Sequence, residues 1–349
     1  MLLPSTFGLA QSTLSPPPPL PDGVRPQVAQ AIDRGLKHLA SIQEADGSFG
    51  ASPGQPDIYP VAVTGLVGLA FLAHGDTPTR GQYADIVNKI TTYLLSTSSE
   101  RTKGLFTTNN ENEPNSRKGP RPMYGHAFAM TFLAHVYGQE GDLARRDQIR
   151  LALKRGILLT QQSQSPDGGW AYRANFYEDE GTLTVTQLQA LRSCRDAGIN
   201  VSRGIIDKGI KFIENSSNDD GSVRYRVQSD EVRPGVTCAG FVALWNAGQY
   251  ESDRLKRIES YINRYIRNRW GSSKHAEYVE YYLAQAKWIM GGSAWADYYK
   301  TASLTISGLQ ESDGSWEGED SDRYGATFSS AVALLVLQLP YNRLTVYQR

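Results

Sequence analysis

Residues 155–170 read RGILLTQQSQSPDGGW, and their spacing recurs along the chain. After Gln164 come Gly168 and then Trp170. Gln43, Gly47 and Phe49 repeat that spacing, and so do Gln310, Gly314 and Trp316. Weaker copies run from Lys208-Gly209 to Gly221 and Val223, from Lys89-Ile90 to Gly104 and Phe106, and from Arg257-Ile258 to Trp270. Six units follow one another at a period of about 50 residues, the range in which rings and solenoids repeat.

Each unit reads as two helices. In the first, apolar residues fall at three- and four-residue spacing, as in Val28, Ile32, Leu36, Leu39 and Ile42, and the pattern stops at an Asp-Gly turn signal. The second is apolar on every side and rich in Gly, Ala and Ser, as in residues 61–72, 126–134, 236–244 and 326–336. An all-apolar helix is a buried one. An amphipathic outer helix and a buried inner helix per unit, six times over, close into a double ring. The expected fold is all-α: a single α/α6 toroid over residues 28–349, with inner helices starting near residues 59, 124, 182, 235, 275 and 324.

These repeats resemble the prenyltransferase and squalene-oxidase repeats, the glutamine-tryptophan motif of triterpene cyclases, from about residue 28 to 340. The ending, Gln338 onward, is similar to that of bacterial proteins carrying such repeats. The resemblance implies an α/α toroid of six inner and six outer helices. It specifies fold more than activity, because that toroid carries cyclases, prenyltransferase subunits, thioester domains and carbohydrate-active enzymes.

Composition narrows the partners. The 349 residues are 40% hydrophobic, and 36 basic residues balance 36 acidic ones. Neutrality argues against a nucleic-acid partner, whose phosphates demand a basic excess. No apolar run approaches the roughly 18 residues of a membrane span, so an integral membrane protein is not expected. Residues 1–27 carry seven prolines and read as a disordered tail. Met1–Ala10 is similar to the end of an export signal but lacks Lys and Arg and is interrupted by Pro4. An exported or periplasmic location and a cytoplasmic one both stay open.

The chemistries known for the resembling proteins leave little trace. Triterpene cyclases of the second class use Asp-x-Asp-Asp. The nearest stretch, Tyr177-Glu178-Asp179-Glu180-Gly181-Thr182, departs from it and reads as a cap for the helix beginning at Thr182. Prenyltransferase zinc sites need an Asp two residues before a Cys, but Val236 precedes Cys238. Neither Cys194 nor Cys238 sits in a thioester motif. No metal or other cofactor is expected.

Loops from outer to inner helices are long and the returns short, which gathers the long loops at one pole, the expected binding face. The candidate ligand-binding residues there are Tyr124, His126, Arg233, Tyr281 and Tyr324, with Tyr59 and Arg323 completing the rim. Glu277 and His275 are the candidate acid–base groups. Inner-helix N-termini favour an apolar or isoprenoid-like small molecule with an anionic head; a protein or peptide at the same pole is the other partner considered. The absent motifs favour a non-catalytic ligand-binding or scaffold toroid. The alternative is a terpenoid cyclase-like, prenyltransferase-like or carbohydrate-active enzyme with a non-standard site.

Overall fold

The structure, a computed structural model, describes residues 19–50, 59–108, 121–174, 178–268, 270, 275–319 and 321–348. The expected disordered tail falls mostly on residues 1–18, outside the described residues, as do Tyr177 and the side chain of Arg323.

Among the described residues there are twelve long helices and one four-residue helix, and no strands beyond isolated bridges. The outer helices are α1 (Pro26–Ser41), α3 (Ala84–Ser96), α5 (Leu143–Gln162), α7 (Arg203–Ser216), α9 (Asp253–Tyr265) and α11 (Gly292–Gly308). The inner helices are α2 (Pro60–His74), α4 (Pro122–Tyr137), α6 (Gly181–Asp196), α8 (Pro234–Asn246), α10 (Ala276–Met290) and α13 (Ala326–Leu337), with the short α12 (Ser321–Tyr324) leading into α13. Inner helices touch in the cycle α2–α4–α6–α8–α10–α13–α2, and outer helices pack against them from outside. The chain is a single α/α toroid. None of its described helices is long and apolar enough to cross a membrane.

Patterning dictates the two rings. In α1 one stripe is buried (Val28, Ile32, Leu36, Leu39), whereas every residue of α2 from Pro60 to Ala73 is buried. Small residues set how closely inner helices approach. A Cβ added at Gly65 would stand 2.9 Å from the Phe128 backbone carbon of α4.

The repeated motif is the joint between successive units. Gln43 donates Nε2 to Gly47 O and to Ile86 O of the next outer helix. Gln164 bridges Gly168 O and Ile205 O in the same way, and Gln310 bridges Gly314 O and Ala31 O, which ties the last unit to the first. The backbone N–H of the aromatic or apolar residue ending each turn donates to a hydroxyl of the inner helix: Phe49 to Thr64, Trp170 to Thr184, Val223 to Thr237 and Trp316 to Ser330.

Gly168 shows why the turn needs glycine. Its φ is +96°, and an added Cβ would lie 2.2 Å from Lys208 O. Gly198 has a φ of +80° with nothing within 4 Å. Gly198→Ala should therefore cost only the left-handed backbone penalty, about 1 kcal/mol. Gly168→Ala must also displace the neighbouring helix, so its loss should be about 2 kcal/mol or more. Urea unfolding of both variants checks this, and equal losses would show that the turn does not dock as described.

Candidate functional site

The inner helices begin at the pole where the long connections gather, and there they surround a cavity of about 690 Å³. Pro60, Pro122 and Pro234 open α2, α4 and α8. Proline is pre-set for a first helical turn and keeps the preceding residue out of the helical conformation. Those preceding residues are Tyr59, Arg121 and Arg233, and all three line the cavity.

The lower wall is apolar, with Ala62, Val63, Leu66, Phe128, Val279 and Val332. Above it stand tyrosines from every side, Tyr59 and Tyr324, whose ring centroids are 5.8 Å apart, then Tyr124, Tyr172, Tyr225 and Tyr278, while Tyr281 lies low, beside Phe128. Burial pushes the phenols of Tyr124, Tyr278 and Tyr281 well above the usual range, so these three present neutral hydroxyls.

At the mouth the Arg121 guanidinium lies 4.1 Å from the centroid of the Tyr172 ring, and that of Arg233 lies 3.6 Å from Tyr225. The Tyr172 and Tyr225 hydroxyls are hydrogen-bonded to each other. Arg233 also pairs with Glu231, Nε to Oε1, at 2.7 Å. Among the described residues no carboxylate forms an ion pair with Arg121.

Beneath Tyr124 lies Glu180, completely buried at the start of α6. It accepts from Thr182 N (2.8 Å), Leu183 N (2.9 Å), Tyr124 Oη (3.3 Å) and Thr182 Oγ1. It is thus the helix cap that the acidic stretch suggested. Burial raises its carboxyl pKa and these hydrogen bonds oppose the rise. Tyr124 Oη and Thr182 Oγ1 are 2.7 Å apart and both residues line the cavity. A hydroxyl pair therefore connects the buried carboxyl to the cavity and can carry a proton between them.

Of the residues singled out from the sequence, Tyr124, Arg233, His275, Tyr281 and Tyr324 meet at this cavity. His126 and Glu277 are not brought there. His126 faces the outer ring, completely buried. Its Nδ1 accepts from Phe106 N at 3.3 Å and its Nε2 lies 3.0 Å from Thr160 Oγ1. It takes the role that Thr64, Thr184, Thr237 and Ser330 play in other units. Glu277 is also completely buried and turns toward α13, accepting from Ser329 Oγ at 3.3 Å. Tyr278 and Tyr281 hold the inward face of α10 instead. Among the described residues, no group of three or more His, Cys, Asp or Glu could hold a metal ion, and Cys238 is buried.

Sequence reasoning passed over Arg121, Tyr172, Tyr225 and Tyr278. A signal existed for three of them. Arg121 and Arg233 stand in the same Arg-Pro pair at inner-helix starts, and Tyr172 and Tyr225 each follow the turn-ending residue, Trp170 or Val223, by two positions.

No protein-family model matches the sequence, nor does any curated protein. Solved structures do match in shape. The type II terpene cyclase MstE from Scytonema, as a variant in complex with geranylgeranyl dihydroxybenzoate, is 14% identical over 91% of this chain and 98% of that one, with a TM-score of 0.60. An inactive variant of the α-1,6-mannanase GH76A of Salegentibacter sp. is 9% identical over 88% and 99%, with a TM-score of 0.62. The GH76 α-mannanase of Bacteroides thetaiotaomicron is 10% identical over 90% and 95%, with a TM-score of 0.60. The ring of six inner and six outer helices read from the repeats is the α/α-toroid fold of these enzymes.

Proposed function

We propose that this chain is an enzyme that takes an isoprenoid-like substrate with an anionic head into the cavity at the long-loop pole. The observation that carries the reading is the cavity itself: an apolar, tyrosine-lined chamber whose mouth holds Arg121 on Tyr172 and Arg233 on Tyr225. Its volume falls within the range of about 300–1,000 Å³ common for small-molecule sites. An apolar body fits the lower wall, and a carboxylate or phosphate head meets the guanidinium groups.

The missing motifs alone favour a scaffold. Two considerations weigh the other way: a chamber of this volume suits a small molecule better than a peptide, and the structurally similar toroids are enzymes. A variant of one of those was solved in complex with geranylgeranyl dihydroxybenzoate, its substrate. Glycoside hydrolysis is less well supported. It uses two carboxyl groups across the scissile bond, and among the described residues lining the cavity the one carboxylate is Glu231, paired with Arg233. Tyr124 and Thr182, backed by Glu180, and His275 at the mouth are the groups placed to move a proton to or from the substrate.

The test is calorimetric binding of prenyl-chain carboxylates and diphosphates, followed by mass spectrometry of the incubated mixtures. Arg121→Gln removes a charged hydrogen bond worth about 1.5–3 kcal/mol, so affinity should fall roughly ten- to hundredfold. Turnover should fall further in Tyr124→Phe than binding does. Binding indifferent to Arg121, or no product from any prenyl substrate, would overturn the reading.

A further inference from the structure

We propose that the segment following α13 sets how long a ligand the cavity accepts, with Tyr281 and Tyr347 forming its floor. The proposal rests on the ligand reading above, that an apolar body descends from the mouth. A ring of helices has two openings, and here the second is closed. From Gln338 the chain crosses the far ends of the inner helices through the short turns Leu339–Tyr341 and Thr345–Tyr347. Gln338 Nε2 donates to Ala70 O of α2 at 3.0 Å, and Thr345 Oγ1 lies 3.2 Å from His135 Nε2 of α4. The second turn packs against α6. Leu339, Leu344, Val346 and Tyr347 are all buried there.

The seal meets the cavity at one point. Tyr281 lines the cavity, and its hydroxyl is 2.7 Å from that of Tyr347. Phe128 braces the Tyr281 ring edge-on from the other side, 6.4 Å between centroids. Below Tyr281 lies a crevice bounded by Gln285, Leu335, Val336, Leu339 and Tyr347, with no room for a water molecule. A chain reaching Tyr281 therefore has nowhere further to go. Removing either tyrosine ring opens space continuous with the chamber, or directly beneath it.

The test uses straight-chain fatty acids of increasing length, with matching primary alcohols, bound to the full chain and read by calorimetry. Below the limit each added methylene should raise affinity about fourfold, the equivalent of about 0.8 kcal/mol. In the parent this gain stops at a defined length. Tyr281→Ala and the Tyr281→Ala/Tyr347→Ala double variant should continue gaining beyond it. Tyr347→Phe, which keeps the ring, should stop where the parent stops. Tyr281→Leu keeps an apolar side chain over Tyr347, guards against a misfolded alanine variant, and should move the limit by less. An unchanged limit in every folded variant would overturn the floor. If alcohols show the limit while acids gain nothing over them, the anionic-head reading fails and the floor stands. If the parent binds neither series, both fail.

Discussion

Trp316→Ala is expected to lower the unfolding free energy by about 3–5 kcal/mol, the usual cost of truncating a fully buried large aromatic to alanine. Trp316 is completely buried, its Nε1 donates to Ile306 O at 2.7 Å, and its backbone N–H donates to Ser330 Oγ at 2.9 Å. Its position makes the loss larger than the area alone suggests. The ring fills the space above Gly35 of α1, where a Cβ would come within 2.5 Å of it. Beside it Gln310 reaches Ala31 O, and Gly314 packs on Arg34 O. The last unit meets the first at this point, with no peptide bond between them, so side chains alone close the ring. Trp316→Phe keeps most of the buried area and should lose markedly less. Chemical denaturation of the three proteins decides it; coincident curves for parent and Trp316→Ala would show that the motif aromatic carries no structural weight.

A second large effect is expected on acidification. Burial lowers the His126 pKa to about 4, although the Gly156 backbone opposes the shift. The unfolded chain binds this proton near pH 6.5 and the folded chain only near 4. Between those values the unfolded state holds more protons, so the stability contribution is fully present above pH 6.5 and is lost as the pH falls toward 4. At 1.36 kcal/mol per pKa unit the loss is about 3 kcal/mol. His126→Asn retains an acceptor for Phe106 N without a titrating ring. Urea unfolding of both proteins at pH 7 and pH 4 should show the parent losing about 3 kcal/mol more than the variant. Buried carboxyls such as Glu180, whose pKa is raised, titrate in both proteins and cancel in the comparison. Parallel pH profiles would mean that His126 titrates normally and is not buried as described.

Both effects concern the ring rather than the ligand, and they bear on function through it. The cavity is the space that six inner-helix ends enclose, so its shape depends on every joint of the ring holding. A cavity made this way needs no flexible scaffold residue, and the groups facing it can vary while the repeats remain.

The architecture was legible in the chain itself. The inner helices start at Pro60, Pro122, Gly181, Pro234, Ala276 and Ala326, each within two residues of the position read from the repeat. This is because the signals are local: an Asp-Gly turn, an all-apolar run and a three-to-four periodicity act within one helix, and six copies reinforce one another. The pole expected to bind was read from loop lengths, the inner-helix N-termini and the clustering of polar side chains there. Tertiary structure decided which side chains face it. Successive helical residues point about 100° apart, so spacing shows which residues share a face but not which face turns inward. Hence Tyr278, and not the expected Glu277, faces the cavity. His126 looked like a ligand group because a polar residue in an apolar helix reads the same whether it meets a substrate or a backbone N–H. The Tyr281–Tyr347 floor joins residues far apart in the chain, and only closure of the ring brings them together.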